Sequence, residues 1–469
     1  MATVDPPFGE FLPPWIARQR WYTAKGRTPR LRRVGGLRFQ DPAGEVGIET
    51  WLLIDDAGPQ PTLYQVPLAY RGAPVPGLEH ALVATTEHSE LGPRWVYDGC
   101  HDPVAARVLL GTILNGAGVA SDGPPGSGGA VGHRATGAGA VHGPVAAERS
   151  RVLSGEQSNT SIIFDGGEGT PVIVKVFRVL AGGQNPDVVV QEALAAAGST
   201  RVPAPLGDLA GEWAGPDGAQ VHGHLAFAQE FLPDVEDAWR VAVRAARSGT
   251  GFTAAAGELG RAVALVHRDL AVAFPLTKTT RQVRDGLRRG WQQRAAGALR
   301  EVPALAEHAD AVAEVYERTT DVPWSPLQRI HGDLHLGQVI DAPGRGWLLL
   351  DFEGEPLRPL AERTAPDLPL RDVAGMLRSL DYAAGAAVQD GGDDTAVAAW
   401  AARARGAFLD GYAAGAGRDP REDAALLAAL ELDKALYEAV YEARNRPDWL
   451  AIPVTGVRRL LAAAPPSRP

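Results

Sequence analysis

Cysteine is nearly absent from this sequence of 469 residues, which contains Cys100 alone. A single thiol cannot form a disulfide within the chain or supply a thiolate cluster for a metal. Runs of eighteen apolar residues are also missing, so we expect no membrane-spanning helix. The first residues lack the basic segment and the apolar core of a signal peptide. We therefore expect a cytoplasmic protein.

Lysine is the second scarce residue type, because only Lys25, Lys175, Lys278 and Lys434 occur whereas arginine is abundant. A lysine ammonium is compact and flexible, so lysines retained in such a sequence are candidates for functional positions. The net charge of −10 argues against general binding to nucleic acid or to anionic membranes. A Walker-type lysine motif is absent as well, which disfavours a P-loop fold.

A basic cluster lies near the start of the chain. It consists of Arg18, Arg20, Lys25, Arg27, Arg30, Arg32 and Arg33. Such a cluster could bind an anion, but runs of surface charge are more often solvated faces. We interpret it as a solvated face.

The length of the chain predicts more than one domain, because single hydrophobic cores stop growing beyond about 250–300 residues. Residues 1–115 combine a helix with alternating strands, which predicts a small α+β domain. Residues 116–148 are rich in glycine, alanine, proline and serine, which predicts a linker or mobile loop. Residues 149–232 predict a sheet, and the apolar spacing in residues 233–469 predicts mainly helices.

The most specific pattern lies in residues 331–338 and 347–354, which read HGDLHLGQ and WLLLDFEG. It provides a carboxylate at Asp333, an amide at Gln338 and a second carboxylate at Asp351, after a four-residue apolar run. Phosphoryl transfer needs this inventory, because a base accepts the proton of the attacking hydroxyl while an amide and a carboxylate hold Mg²⁺. The order of these groups is typical of the catalytic and metal segments of protein-kinase-like enzymes.

A nucleotide-binding sheet is predicted upstream, where strands surround a polar turn and Lys175 lies in the middle of a strand. A lysine between valines suits the sheet that covers a nucleotide, and an outward-facing edge lysine is the alternative. The turn offers hydroxyl and amide groups for phosphate binding, at Ser158, Asn159, Thr160 and Ser161.

Partners for Lys175 and for the adenine are less well defined by the sequence. Asp187 and Glu192 both lie on the helix predicted after this strand, and either carboxylate could pair with Lys175. Residues 224–232, which include Glu230, form a predicted strand at the position of a hinge, where backbone groups usually read adenine.

A second segment imitates a catalytic loop, since residues 266–270 read VHRDL. It lies within a helical pattern, and the residue five positions after Asp269 is Phe274 rather than an amide. Residues 266–270 are therefore predicted not to be catalytic.

A polar and aromatic helix face is predicted near the end of the chain. Lys434, Tyr437, Glu438 and Tyr441 recur at three- and four-residue spacing, and Trp449 follows. Aromatic rings can stack on the C–H faces of a sugar, while polar groups bind its hydroxyls. The face predicts a sugar site, and packing between helices is the alternative.

Residues 331–338 and 350–356 resemble the bacterial maltokinases, actinobacterial relatives of the aminoglycoside phosphotransferases in the protein-kinase-like superfamily. Residues 18–22, 156–161 and 432–449 are similar to the same group, so the resemblance covers nearly the whole chain. Aminoglycoside kinases usually carry asparagine at the metal amide. Gln338 and the pair Glu353 and Glu355 therefore favour the maltokinase branch.

The resemblance implies a bilobal α+β fold with an N-terminal cap domain (1–115), a β-rich N-lobe (149–232) and a helical C-lobe (233–469). It implies that ATP phosphorylates the anomeric hydroxyl of maltose, and that the maltose 1-phosphate feeds α-glucan synthesis. We expect a monomer or homodimer that binds maltose and ATP, and neither nucleic acid nor a membrane.

The resemblance also implies roles for individual residues. Asp333 would be the general base, and Lys175 would hold the α- and β-phosphates of ATP. Gln338 and Asp351 would bind Mg²⁺, with help from Glu353. Maltose would be contacted by His335, Lys434, Tyr437, Glu438, Tyr441, Arg444 and Trp449.

Alternatives to maltose phosphorylation stay open. Actinobacterial glucosamine kinases are similar, but they favour phenylalanine after the catalytic aspartate and an Asp-Phe-Asp-Gly-Asn segment. This sequence has Leu334 at the first position and two glutamates, Glu353 and Glu355, in the second segment. An aminoglycoside-type phosphotransferase is a further enzymatic alternative. The alternative of a different class is a pseudokinase that senses sugar or nucleotide without turnover.

Overall fold

The structure is a computed structural model that describes residues 3–123, 128–137, 139–141, 143–153, 159–355 and 360–463. The chain divides into two compact units. The first comprises Met1–Ala196 and Pro203–Pro233, and the second comprises Ala197–Val202 and Asp234–Pro469. Within the described ranges, no helix is long and apolar enough to cross a membrane.

The first unit is built on one antiparallel sheet of fourteen strands. The strands are β1 (Val4–Asp5), β2 (Leu31–Phe39), β3 (Gly47–Asp55), β4 (Thr62–Arg71), β5 (Leu82–His88), β6 (Gly92–Asp98), β7 (Gly118–Ser121), β8 (Ala130–Arg134), β9 (Arg149–Val152), β10 (Asn159–Asp165), β11 (Val172–Phe177), β12 (Val179–Leu180), β13 (Pro205–Ala214) and β14 (Gln220–Glu230). The helices are α1 (Phe8–Ala17), α2 (Pro103–Leu114) and α3 (Pro186–Ala196). The order in the sheet is β1-β5-β6-β4-β3-β2-β7-β8-β13-β14-β11-β10-β9, and β12 pairs with β4.

One hydrophobic core serves both predicted parts of this unit. Leu37 and Leu52 from β2 and β3 belong to the same buried cluster as Ile162 and Val176 from β10 and β11. Burial of apolar surface stabilises a fold by about 25 cal/mol per Å². The cap strands and the strands around Lys175 are therefore parts of one packed body.

The prediction of a linker or mobile loop over residues 116–148 is wrong for two stretches, because β7 and β8 lie there. β7 pairs with β2 and with β8, and β8 pairs with β13, so these strands join the two halves of the sheet. The glycines of these strands allow close contact between backbones. A Cβ on Gly132 would lie 2.2 Å from the carbonyl oxygen of Thr112. Backbone hydrogen bonds in a sheet do not require apolar side chains. The composition of residues 116–148 therefore did not reveal these two strands.

The second unit is mainly helical. Its helices are α4 (Ala238–Ser248), α5 (Thr253–Ala273), α6 (Arg281–Glu301), α7 (Ala309–Glu317), α8 (Leu360–Arg363), α9 (Leu370–Gln389), α10 (Asp394–Ala416), α11 (Ala424–Asn445) and α12 (Ala451–Ala463). A small sheet contains β15 (Glu236–Asp237), β16 (Val339–Ala342) and β17 (Gly346–Leu349). Glycines let α5 and α10 touch, since a Cβ on Gly411 would lie 1.9 Å from the carbonyl oxygen of Gly257.

A buried ion pair connects the cap strands to the strands around Lys175. Arg178 follows β11, is fully buried and donates from Nη2 to both carboxylate oxygens of Asp98 at the end of β6, at 2.9 and 2.6 Å. Its Nε donates to the hydroxyl of Thr160 at 2.8 Å. Breaking a buried pair on one side leaves an uncompensated charge, which is strongly destabilising.

We expect Arg178→Met to lower the free energy of unfolding by roughly 3–5 kcal/mol, because Asp98 would stay buried without a counter-charge. Urea unfolding followed by tryptophan fluorescence measures the change. Arg149→Met is the control, since Arg149 pairs with Asp165 at the surface and its loss should cost about 1 kcal/mol at most. Equal effects of the two substitutions would contradict the importance of the buried pair.

Candidate active site

The loop that carries Asp333 is held by a buried carboxylate on α9. Asp372 accepts the backbone N–H groups of His331 and Gly332 at 2.8 and 2.9 Å. Gly332 has a φ of +86°, a conformation that favours glycine. His331 donates from Nε2 to the carbonyl of Leu350 at 2.8 Å, which ties the loop to the segment after β17. These bonds fix the backbone immediately before Asp333.

Asp333 shares a lysine with a second carboxylate. Lys434 on α11 lies 3.1 Å from Oδ1 of Asp333 and 2.8 Å from Oε1 of Glu355. Burial opposes a charge on Lys434, but Asp333 and Glu355 outweigh it and raise the pKa of the ammonium. Oδ2 of Asp333 has no hydrogen-bond partner among the residues that the structure describes. Lys434 therefore binds one carboxylate oxygen of Asp333, and the other oxygen accepts no hydrogen bond from the described residues.

The two predicted metal ligands of the second unit lie side by side. Gln338 precedes β16, Asp351 lies shortly after β17, and the amide of Gln338 donates to Oδ2 of Asp351 at 3.2 Å. The N–H of Leu350 also donates to the carbonyl of Gln338 at 2.8 Å. Asp351 has a φ of +62°, which is uncommon outside glycine. Glu353 lies two residues on, and its carbonyl accepts from Arg363 at 3.1 Å.

In the first unit, Lys175 pairs with Asp187 rather than with Glu192. The Lys175 ammonium lies 3.2 Å from Oδ2 of Asp187 at the start of α3, and Gln191 donates to the other oxygen at 2.8 Å. Glu192 lies instead near Asp208 and His133. Burial, reinforced by Asp208, raises the pKa of Glu192 to about 7. The alternative that the sequence left open is thus resolved in favour of Asp187.

The predicted phosphate-binding turn is described only in part, because Ser158 lies outside the described residues. Asn159, Thr160 and Ser161 begin β10, and Ser161 is opposite Lys175 in the sheet. Thr160 is buried, and its hydroxyl accepts from Arg178, so it serves the connection to the cap strands. Glu230 ends β14, where its carboxylate accepts the N–H of Ala204 at 3.1 Å.

Three of the predicted sugar contacts have well-defined surroundings. His335 accepts the N–H of Gly337 at Nδ1, and burial lowers its pKa, so its neutral ring carries the proton on Nε2. The ring of Tyr437 lies under the Lys434 ammonium, which is 5.0 Å from the ring centroid. Glu438 accepts two hydrogen bonds from the buried Arg378, at 3.0 and 2.9 Å. Burial raises the pKa of Glu438.

The other predicted sugar contacts divide into two groups. Tyr441 and Trp449 share the guanidinium of Arg446, which lies 5.6 and 5.1 Å from their ring centroids. Arg444 is exposed and forms a two-point ion pair with Glu301 on α6. Tyr441 continues the helix face of Lys434, whereas Arg444 is held by α6.

Sequence reasoning missed two carboxylates and the role of a histidine. The sequence marks Glu355 only as a feature of the maltokinase branch. A lone aspartate near a helix start, such as Asp372, carries no distinctive spacing. His267 of the rejected look-alike lies in α5, where its ring contacts Asp372 and the hydroxyl of Tyr412, both at 2.9 Å. Residues 266–270 are therefore helical. His267 contacts Asp372, which in turn holds the loop that carries Asp333.

Two family descriptions match this sequence. Residues 15–102 match the maltokinase N-terminal cap domain. Residues 150–426 match the phosphotransferase enzyme family, which covers more than half of the chain.

Similar proteins carry the name glucosamine kinase. One from Streptacidiphilus jiangxiensis is 32% identical over 339 residues, which cover 68% of this chain and 74% of the relative. One from Mycolicibacterium smegmatis is 29% identical over 331 residues, which cover 67% and 80%. A solved structure of glucosamine kinase in complex with glucosamine, ADP and inorganic phosphate has a TM-score of 0.65 at 26% identity, covering 92% of this chain and 94% of that chain. The predicted fold class is confirmed.

We expect Lys434→Met to lower turnover by about 10- to 100-fold, because a charge-assisted hydrogen bond is worth about 1.5–3 kcal/mol. The carboxylates of Asp333 and Glu355 would then lose their shared cation. Steady-state rates of ADP release measure the effect. Lys278→Met is the control, since Lys278 is exposed and should tolerate the change. Similar rates for the two variants would contradict a role for Lys434.

Proposed function

Because the chain belongs to the phosphotransferase enzyme family and carries a maltokinase-type cap domain, we propose that it phosphorylates maltose with ATP at the anomeric hydroxyl. The observation that carries this proposal is that Asp333, on the loop held by Asp372, contacts Lys434, which also contacts Glu355. It offers an oriented carboxylate to a hydroxyl. The product would be maltose 1-phosphate, a donor for α-glucan synthesis.

We assign the nucleotide to the first unit and the metal ligands to the second. ADP is bound in the similar glucosamine kinase structure, which supports ATP as the phosphate donor. Lys175, held by Asp187, would contact the α- and β-phosphates, since a lysine ammonium is a point charge suited to phosphate. Backbone and side-chain groups of Ser158, Asn159 and Ser161 would complete the phosphate contacts.

Mg²⁺ fits the residues present just before β16 and just after β17. The side chains of Gln338 and Asp351 are adjacent, and amide and carboxylate oxygens are donors that Mg²⁺ accepts. These two residues would hold the ion, with Glu353 close by in sequence. When bound, the ion would neutralise charge on the phosphates of ATP.

In the proposed reaction, Asp333 accepts the proton of the anomeric hydroxyl as that oxygen attacks the γ-phosphorus. Lys434 holds Oδ1 of Asp333, so Oδ2 is the oxygen that would face the hydroxyl. His335 presents Nε2–H, which can donate to a neighbouring sugar hydroxyl. Phosphoryl transfer of this kind depends mainly on positioning and charge, which is what these contacts provide.

A neutral sugar suits the charges on α11 better than an amino sugar does. All four acidic residues of this helix pair with arginine: Glu431 with Arg405, Asp433 with Arg294 and Arg371, Glu438 with Arg378, and Glu442 with Arg446. A substrate ammonium would have to compete with one of these arginines, of which Arg378 is fully buried, and breaking a buried pair is costly. Sugar hydroxyls need only hydrogen-bond donors and acceptors, which the same groups supply.

Glucosamine is the second candidate substrate, because the similar curated relatives and the solved structure are glucosamine kinases. The cap-domain match and the paired carboxylates of α11 support maltose instead. The two reactions differ in the acceptor and in the position of the new phosphate, so product analysis separates them.

Asp333→Asn should reduce turnover by roughly 10²–10⁴-fold while ATP binding changes little, because an amide cannot accept the hydroxyl proton. Coupled-enzyme kinetics and calorimetric titration with an ATP analogue give the two quantities. Asp269→Asn, in the look-alike segment on α5, is the matched control and should keep its activity. Unchanged turnover in Asp333→Asn would reject the assigned base, and an inactive native chain that still binds both ligands would indicate a pseudokinase.

Maltose should give the highest kcat/KM in a panel with glucose, glucosamine and an aminoglycoside, because α11 has no unpaired carboxylate for an ammonium. Phosphorus NMR should then place the phosphate at C1 of the disaccharide. Faster turnover of glucosamine, with phosphate at C6, would overturn the substrate assignment but leave the phosphotransferase assignment intact.

A further inference from the structure

A cavity of about 420 Å³ lies in the first unit, and of the residues considered above for phosphate binding it includes Asn159 and Thr160. On the cap side it is lined by Arg20, Trp21, His80 and His101. On the other side it is lined by β9 and the start of β10, the strands that lead into and out of the predicted phosphate-binding turn. Pockets for small molecules typically measure 300–1,000 Å³, so the cavity has room for a small metabolite.

The charged residues described around this cavity are of one sign. Within the described ranges, no lining residue is aspartate or glutamate. Arg20 is exposed and has no acidic partner within the described ranges. His80 and His101 face one another, with 3.2 Å between Nε2 and Nδ1 and rings nearly perpendicular. Ser150, Asn159 and Thr160 add polar groups opposite them.

A buried arginine lies directly behind the lining. Arg178 touches two lining residues, because its Nε donates to Thr160 and its guanidinium carbon is 5.1 Å from the ring centroid of Trp21. Asp98 neutralises its charge, yet its Nη1 is buried without a hydrogen-bond partner within the described residues. Buried donors are normally satisfied, so Nη1 of Arg178 is an unusual unsatisfied donor in the residue behind the lining.

A metal ion suits this arrangement less well than an anion. Two imidazole nitrogens 3.2 Å apart could approach one ion, but protein metal sites normally use three or four ligands. Among the described residues, no carboxylate or thiolate lines the cavity to supply the others. Arginine, imidazole N–H and hydroxyl groups can instead donate to phosphate oxygens.

We propose that this cavity is a binding site for a small phosphorylated molecule, held by Arg20, His80 and His101. The proposal is independent of the substrate of the kinase reaction and of the assignment of Asp333. Arg20 belongs to the basic cluster near the N-terminus, which the sequence analysis interprets as a solvated face. The proposal assigns a ligand to this member of the cluster.

Calorimetric titration of the full chain tests the site with three probes: inorganic phosphate, glucose 1-phosphate and glucose. The protein is first saturated with Mg²⁺ and a non-hydrolysable ATP analogue, so that the nucleotide site is filled. We expect phosphate or glucose 1-phosphate to bind and glucose not to bind. Tighter binding of glucose 1-phosphate would identify a sugar phosphate as the ligand, and equal binding would identify the free anion.

Arg20→Gln should weaken this binding about tenfold or more, the effect of losing one charge-assisted hydrogen bond. Arg18→Gln is the matched control, because Arg18 is also exposed, lies two residues away and does not line the cavity. His80→Gln should weaken binding as well, and melting temperatures report whether each variant is folded. Equal affinities in Arg20→Gln and Arg18→Gln, or no binding of either phosphate compound, would overturn the proposal. No step of this test requires turnover, so failure of the kinase assignment would not mimic its outcome.

Discussion

The second unit depends on a single buried carboxylate. Asp372 accepts two backbone N–H groups of the catalytic loop and contacts the ring of His267, so it joins α9, α5 and residues 331–332. Burial alone would raise the pKa of Asp372, but His267 and the backbone donors lower it on balance. A carboxylate whose two oxygens both accept hydrogen bonds is held rigidly. Asp372 therefore fixes the backbone immediately before Asp333. Buried polar networks of this kind matter because each unpaired member would be costly.

Charge pairing dominates the predicted sugar-binding face. Lysine and arginine residues on α9, α10 and α11 pair with acidic groups near Asp333, such as Glu355 and Glu438. Lys175 and Lys434 both contact a carboxylate of the predicted site, whereas Lys278 is exposed. Arginine holds the buried structural pairs, since its planar fork can bind a carboxylate at two points.

The first unit joins two groups of strands through one sheet. β7 and β8 connect the cap strands to the strands around Lys175, and Arg178, next to β12, pairs with Asp98 of the cap at a second connection. A ligand in the cavity beside Arg178 would therefore touch both parts. The glycine-rich strands make this possible, because a Cβ at Gly129 or Gly132 would collide with a neighbouring backbone.

The sequence by itself predicted the chemistry of the site, because the spacing of Asp333, Gln338 and Asp351 is typical of protein-kinase-like enzymes. It also determined the division into a first part rich in strands and a later helical part, and its helical periodicity predicted that residues 266–270 are not catalytic. Only the tertiary structure decided which acid pairs with Lys175, that Lys434 holds Asp333 and Glu355, and that residues 116–148 contribute strands. These contacts join residues far apart in the chain, such as Asp333 and Lys434, so no local pattern encodes them. Composition likewise cannot distinguish a glycine that loosens the chain from one that lets two backbones touch.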